Sequence, residues 1–426
     1  MLDIKFILEN KNLVQDGLTK KGFTGLNLED LISLHSQITK LKTSTQEKRE
    51  EKNRLSNAIK SASAEERPDI IAKSKTIGEE LKSEEENLTS LQEKFDNLMS
   101  RMPNLPSPDA PLGKDDSENK VIKKVGKPKS FSFKPLNQIE LMEKNNWADM
   151  DRVSKVCGSR TYAIKNDLAK LELALHMMVL DKLSQNGFTT ITVPSISREK
   201  ALYGMGYLPF SSDEIYHMEE DDIYLSGTAE LVLNSLHADE ILNENDLPIL
   251  YAGFSPCFRR EAGAAGKDTR GLIRVHQFMK TEQFVICKND INESEAWHKK
   301  LLSIAEEILS DLEIPYQVVD ICTGDMGAPK YRQYDLEAWV PSQNAYRETH
   351  SASNITEWQA RRTSLRYRDN QDGKVKFAHT LNNTGIATPR ALVPFIENHQ
   401  QEDGSVKIPE KLQPYMGGKK QIGGSN

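Results

Sequence analysis

Basic charge is what this 426-residue sequence most lacks. Its 63 acidic residues outnumber 56 basic ones, and the net charge is -7. A protein that grips nucleic acid by bulk charge is basic. Any nucleic-acid contact here must therefore come from a local basic face, and DNA is not an expected partner. Long apolar runs are missing too. No stretch of about 18 apolar residues exists, so no membrane span is expected. The start, MLDIKFILEN, carries Asp3 and Glu9 and lacks the apolar stretch of a secretory signal. Cysteine is scarce. Cys157, Cys257, Cys287 and Cys322 form no CxxC pair and have no histidine at zinc spacing. The expectation is buried, reduced thiols in a cytoplasmic protein, with no zinc. Common nucleotide motifs are absent as well. Gly266-Lys267 resembles a phosphate loop, but that pattern needs Gly where Glu261 stands and Ser or Thr where Asp268 stands.

Proline is concentrated rather than rare. Pro103, Pro106, Pro108 and Pro111 fall within nine residues. Proline has no amide donor and a fixed φ, so this stretch is neither helix nor central strand. It reads as a linker over 103–116 between an N-terminal domain, 1–102, and a larger domain, 117–416. The glycine-rich end, 417–426, reads as a flexible tail.

Before the prolines, apolar positions alternate three and four apart. One run is Leu31, Leu34, Ile38, Leu41, Thr45, Lys48, Lys52, Leu55, Ile59. The other is Ile70, Ser74, Ile77, Leu81, Glu84, Leu88, Leu91, Phe95, Leu98. That is the seam of an antiparallel coiled-coil hairpin, each arm roughly 45 Å long at about 1.5 Å per residue. Between Lys40 and Lys60 there are seven basic and three acidic residues; between Glu79 and Asp96, seven acidic and two basic. Read alone, that asymmetry is best explained by pairing across the arms.

Past the prolines the pattern changes. A helix is predicted from Asn166, its N-cap, to a stop at Gly187. Strands are predicted over 189–193, 249–252, 256–260, 275–287, 315–319 and 331–340. Strands exceed what alternating βαβ units would supply, so the fold class is α+β, a mostly antiparallel sheet flanked by helices. Alternation places Phe278, Lys280 and Glu282 on one strand face with His276. Charged groups sharing a sheet face need a reason, because burying them unpaired is costly.

The stretch 258–282, FRREAGAAGKDTRGLIRVHQFMKTE, resembles motif 2 of the class II aminoacyl-tRNA synthetases, and most closely the seryl enzymes. The likeness extends over nearly the whole chain. It includes a motif 1 helix and strand (167–194), a motif 3 at Gly385–Pro394, the Thr228-Ala229-Glu230 signature, Arg347–Asn354, Gln359–Arg362 and the helical arm. Arg260, Thr281 and Ser351-Ala-Ser-Asn354 depart from the commoner residues, without removing a charge the chemistry needs.

The resemblance implies ATP-dependent attachment of L-serine to its tRNA through a seryl-adenylate. It also implies charging of selenocysteine tRNA with serine where that tRNA exists. Arg259 and Arg390 are the implied catalytic residues, set on the α- and γ-phosphates. Arg390 follows Thr388-Pro389, which read as N-cap and N1 of a helix. Further nucleotide positions are Arg260, Glu261, Val275, Phe278, Glu348, Thr349, His350 and Ser351. Glu348 and Ser351 would also hold Mg2+, a hard cation suited to oxygen donors. Serine recognition falls to Thr228, Ala229, Glu230, Arg259, Glu282, Asn382 and Thr384. The family works as a homodimer whose arm grips the long variable arm of the tRNA. Lys48, Arg49, Lys52 and Arg54 are the implied contacts.

Overall fold

The computed structural model describes residues 1–262 and 271–424. Residues 263–270, which include Gly266-Lys267, lie outside the described residues. The chain divides into two compact units at Pro103/Asn104.

The N-terminal unit opens with helices Ile4–Glu9 and Lys11–Lys20. Two 34-residue helices follow, α1 (Leu28–Ser61) and α2 (Arg67–Ser100). Asn27 caps α1 by accepting from the Glu29 and Asp30 amides at 3.0 and 3.4 Å. Leu31, Ile38 and Leu81 are buried in the seam. Its middle is polar: the Ser44 hydroxyl donates to Glu84, and Lys48 pairs with Glu80 at 2.6 Å and with Glu84 at 3.1 Å. Lys52 departs from the predicted seam and is exposed, while Glu51 and Leu55 turn partly inward. A straight helix drifts against a strict seven-residue repeat, which moves that position outward. Gly78 lies beneath the Lys52 ammonium; a Cβ there would sit 3.5 Å from Nζ.

The larger unit is built on an eight-stranded sheet. In chain order its strands are β1 (Lys120–Val125), β2 (Thr189–Thr192), β3 (Ile249–Phe258), β4 (Gln277–Cys287), β5 (Tyr316–Asp320), β6 (Arg332–Val340), β7 (Ala345–Thr356) and β8 (His379–Thr388). Their order across the sheet is β1-β5-β6-β7-β8-β4-β3-β2. Only β2 and β3 pair in parallel. The two predicted strands near 249–260 are one strand, and β7 and β8 are additions to the prediction.

Helices α3 (Asn166–Gln185) and α5 (Ile291–Asp311) cover one face. Leu171, Leu175 and Val179 of α3 and Leu301, Ile304 and Ile308 of α5 join Val285 and Leu381 of the sheet in one core. Asn166 does not cap α3 with its side chain; that amide donates to Asn146 O at 3.0 Å. On the opposite face, short helices α4 (Glu230–Ser235) and α6 (Trp358–Thr363) pack over Phe284 and Ile286. They leave the rest of that face open.

The proline-rich segment is docked rather than a free linker. Asn104 donates to Ile355 O at 2.7 Å, the Ser107 amide to Tyr331 O at 2.7 Å, and Pro111 O accepts from the Thr323 amide at 2.9 Å. Prolines deny this segment a ladder, so its remaining polar groups bond to loops and to the end of β7 instead. The tail is ordered through residue 424. Gln421–Ile422 pairs with Val406–Lys407, Ile422 is 2% exposed, and the Gly424 amide donates to Asn145 at 2.8 Å. Its glycines make turns at positive φ, as at Gly417 and Gly423. Cys257, Cys287 and Cys322 are buried, whereas Cys157 is exposed.

Candidate active site

The open face gathers polar groups from adjacent strands. Along β4, alternation turns Lys280 and Glu282 to this side and Thr281 and Gln283 to the α3 side. Thr384 of β8 stands opposite Glu282, and Asn382 opposite Phe284. Arg259 follows the end of β3, where its amide donates to His276 O at 2.9 Å.

Two adjoining cavities result. The first is lined by Glu261, Val275, Phe278, Thr349 and Arg390, among others. The second is lined by Thr228, Glu230, Ser351, Gln359 and Asn382, among others. Arg259, Lys280, Glu348 and Thr384 line both. The Arg259 guanidinium stacks on Phe278, 5.2 Å from the ring centre, and Nη2 donates to Gly227 O at 3.4 Å. Its Nε is buried without a partner among the described residues. Arg390 is held by Ile273 O at 3.2 Å and lies 3.9 Å from the Glu348 carboxylate. Glu261 pairs with Arg274 at 2.8 Å.

The second cavity is richly bonded. Thr228 donates to Glu282 Oε2 at 2.9 Å and accepts from Lys280 at 3.3 Å; Lys280 also pairs with Glu282. Glu230 Oε1 accepts from Gln359 at 2.8 Å and from Asn382 at 2.9 Å. Burial, and then the Glu282 charge, push the Glu230 carboxyl up to about 7. Burial followed by the Glu348 charge does the same to Asp335, also to about 7.

Some residues implied by the sequence stand elsewhere. Arg260 is exposed, its amide bonded to Glu214 O at 3.0 Å, and its side chain lines neither cavity. His350 is buried, with Nε2 against Gly385 O at 2.9 Å; burial lowers its pKa to about 4, so it is neutral. Ala229 belongs to the apolar cluster with Val193 and Leu233. Glu282, 1% exposed, lies one layer back, behind Thr228 and Lys280. Thr388 is the last residue of β8 rather than a helix cap. Its hydroxyl bonds His176 at 2.9 Å, and helix α7 (Leu392–His399) starts after Arg390. Of the arm residues, Lys48 and Arg49 pair across to α2, and Arg54 pairs with Glu51 at 2.7 Å in its own helix.

Lys280, Asp335 and Gln359 complete the cavities without having been singled out as site residues. Lys280 shared a predicted face with Glu282, which was the available signal. Gln359 is fixed by Glu230 and by Thr380, whose hydroxyl donates to it at 2.7 Å. Asp335 faces Ser351 across the β6–β7 ladder, a pairing that only the register reveals.

This mostly antiparallel sheet, with an arginine between two cavities, is matched by a class II synthetase core. Residues 213–399 match the family described as tRNA synthetase class II core domain (G, H, P, S and T). Residues 1–106 match the Seryl-tRNA synthetase N-terminal domain. A serine–tRNA ligase of Deinococcus radiodurans is 48% identical, over 99% of both chains. One from Thermococcus onnurineus is 43% identical, over 98% of this chain and 96% of its own. The crystal structure of seryl-tRNA synthetase from Pyrococcus horikoshii complexed with ATP superposes with a TM-score of 0.93 at 41% identity, covering 100% of both chains. The chain belongs to the seryl-tRNA synthetase family.

Proposed function

We propose that the chain joins L-serine to tRNA at the expense of ATP. The serine carboxylate attacks the α-phosphate, giving seryl-adenylate and pyrophosphate; the terminal ribose of the tRNA then takes the seryl group. The placement of Arg259 in both cavities carries this reading. One guanidinium at the junction can hold the carboxylate and the α-phosphate together, and its planar fork suits both. Such chemistry needs positioning and charge neutralisation rather than a protein nucleophile.

The first cavity would take ATP, with Phe278 and Val275 against the base and Arg390 on the distal phosphates. The second would take serine, with Glu230 accepting from its ammonium and Thr228, held by Glu282, meeting its hydroxyl. Alanine would leave Thr228 without that partner, the kind of mismatch that costs about 10⁴-fold. Mg2+ fits beside them. Asp335 is buried opposite Ser351, and burial, then the Glu348 charge, raise its pKa, so a cation bound among these oxygens would be favoured. Glu348, Ser351 and Asp335 would hold the ion, which neutralises phosphate charge when bound.

We further propose that the chain works as a cytoplasmic homodimer whose helical arm meets the variable arm of serine tRNA. Selenocysteine tRNA, where present, would be charged the same way. Lys48, Arg49 and Arg54 already pair with carboxylates. Lys52, exposed over Gly78, is the best placed of the four for phosphate.

The test is ATP–pyrophosphate exchange with each of the twenty amino acids. Exchange with serine alone supports the assignment, and exchange with another amino acid refutes the serine pocket.

A further inference from the structure

Lys280 has a position that its neighbours explain only in part. It lines both cavities, its side chain is 11% exposed, and its ammonium is committed to Glu282 and Thr228. Glu282 Oε2 is thereby used twice, while Oε1 is buried without a partner among the described residues. Two acidic side chains, Glu230 and Glu282, share one small polar region. Unpaired, they would repel in a medium where charge is poorly screened.

We propose that Lys280 is a positioning residue for serine activation: its ammonium is the built-in counter-ion that fixes Glu282 behind Thr228, leaving Glu230 to receive the ammonium of the amino acid. This rests on the serine-activating function proposed above. Arg259 is then left to the substrate carboxylate and the α-phosphate, and the fixed cation of Lys280 keeps the pocket from holding an excess of negative charge before serine arrives. The groups facing Glu230 are Glu282 and Lys280 from β4, Gln359 from α6, Asn382 from β8, and the loop residues Tyr207 and Lys330. Burial raises the Glu230 pKa most, then Glu282; Lys280 and Lys330 pull it down. Removing Lys280 therefore moves the acidic limb of any Glu230-dependent step to higher pH.

The experiment is serine-dependent ATP–pyrophosphate exchange by the full chain from about pH 6 to 9, comparing the parent, Lys280→Met and Lys280→Arg. In Lys280→Met the serine KM rises about 30-fold or more while the ATP KM stays within about threefold. The acidic limb of kcat/KM for serine moves upward, and Lys280→Arg restores most of both. A merely structural lysine would leave the limb in place. An unchanged serine KM and limb, or a rise confined to the ATP KM, overturns the proposal. Melting curves establish folding, and Lys280→Gln gives the same readout if Lys280→Met unfolds. A parent protein without serine-dependent exchange sinks the serine assignment itself. A parent that exchanges beside an unaffected Lys280→Met sinks only the role of Lys280.

Discussion

Replacing Arg259 by lysine keeps the charge and removes the shape, so it isolates what the guanidinium does. Arg259 stacks on Phe278 at 5.2 Å, and its buried Nε, between the two cavities, has no partner among the described residues. Lysine offers a point charge without the fork. One charge-assisted hydrogen bond is lost, about 1.5–3 kcal/mol. The cation–π contact is also lost, about 0.5–2 kcal/mol. The sum is about 2–5 kcal/mol, or roughly 30- to 4,000-fold in kcat/KM at about 1.4 kcal/mol per factor of ten. ATP–pyrophosphate exchange with serine measures this directly, and KM values for both substrates should change because Arg259 borders both sites. Arg259→Ala, which also loses the charge, should abolish exchange in a protein that still folds. If Arg259→Lys kept its kcat/KM within about fivefold of the parent, the fork would not be holding the reacting groups.

Other consequences follow from particular residues. Burial, and then the Glu282 charge, push the folded Glu230 carboxyl from its ordinary 4.5 up to about 7, so the folded state holds an extra proton between those values. Stability then falls as pH rises from about 4.5 to 7, by up to roughly 3 kcal/mol. Glu230→Gln should flatten that part of the ligand-free melting-temperature profile, and an unchanged slope would mean Glu230 is not the group. Ile422→Ala should cost about 2–5 kcal/mol in thermal or denaturant unfolding, because this tail residue is 2% exposed; a free tail would show no change. Lys52→Ala should weaken tRNA binding and lower its salt slope by about one, leaving amino-acid activation untouched. Equal affinity and slope in filter binding would remove Lys52 from the interface.

The arm was legible because its signal is repetitive. A three-four alternation held over two runs fixes both helices and their register, and only Lys52 slipped outward. Motif strands were legible where apolar and polar residues alternate, as in β4. What escaped was of another kind. The sequence of β8, HTLNNTGIAT, is polar at six of its ten positions, yet nearly all of it is buried. Nothing in its composition separates it from a loop. Its polar groups are affordable only through partners far away in the chain: Asn382 with Glu230, Thr380 with Gln359, Asn383 with Leu301 O. The same holds for Asp335, whose place beside Ser351 is set by ladder register. Local pattern predicts elements whose burial is apolar, because hydrophobic periodicity is a local property. A polar strand at the centre of a sheet contradicts that rule, and such contradictions gather where function outweighs stability. Here β8 separates the α3–α5 core from the two cavities, so the least predictable strand of the sheet is one that lines the site.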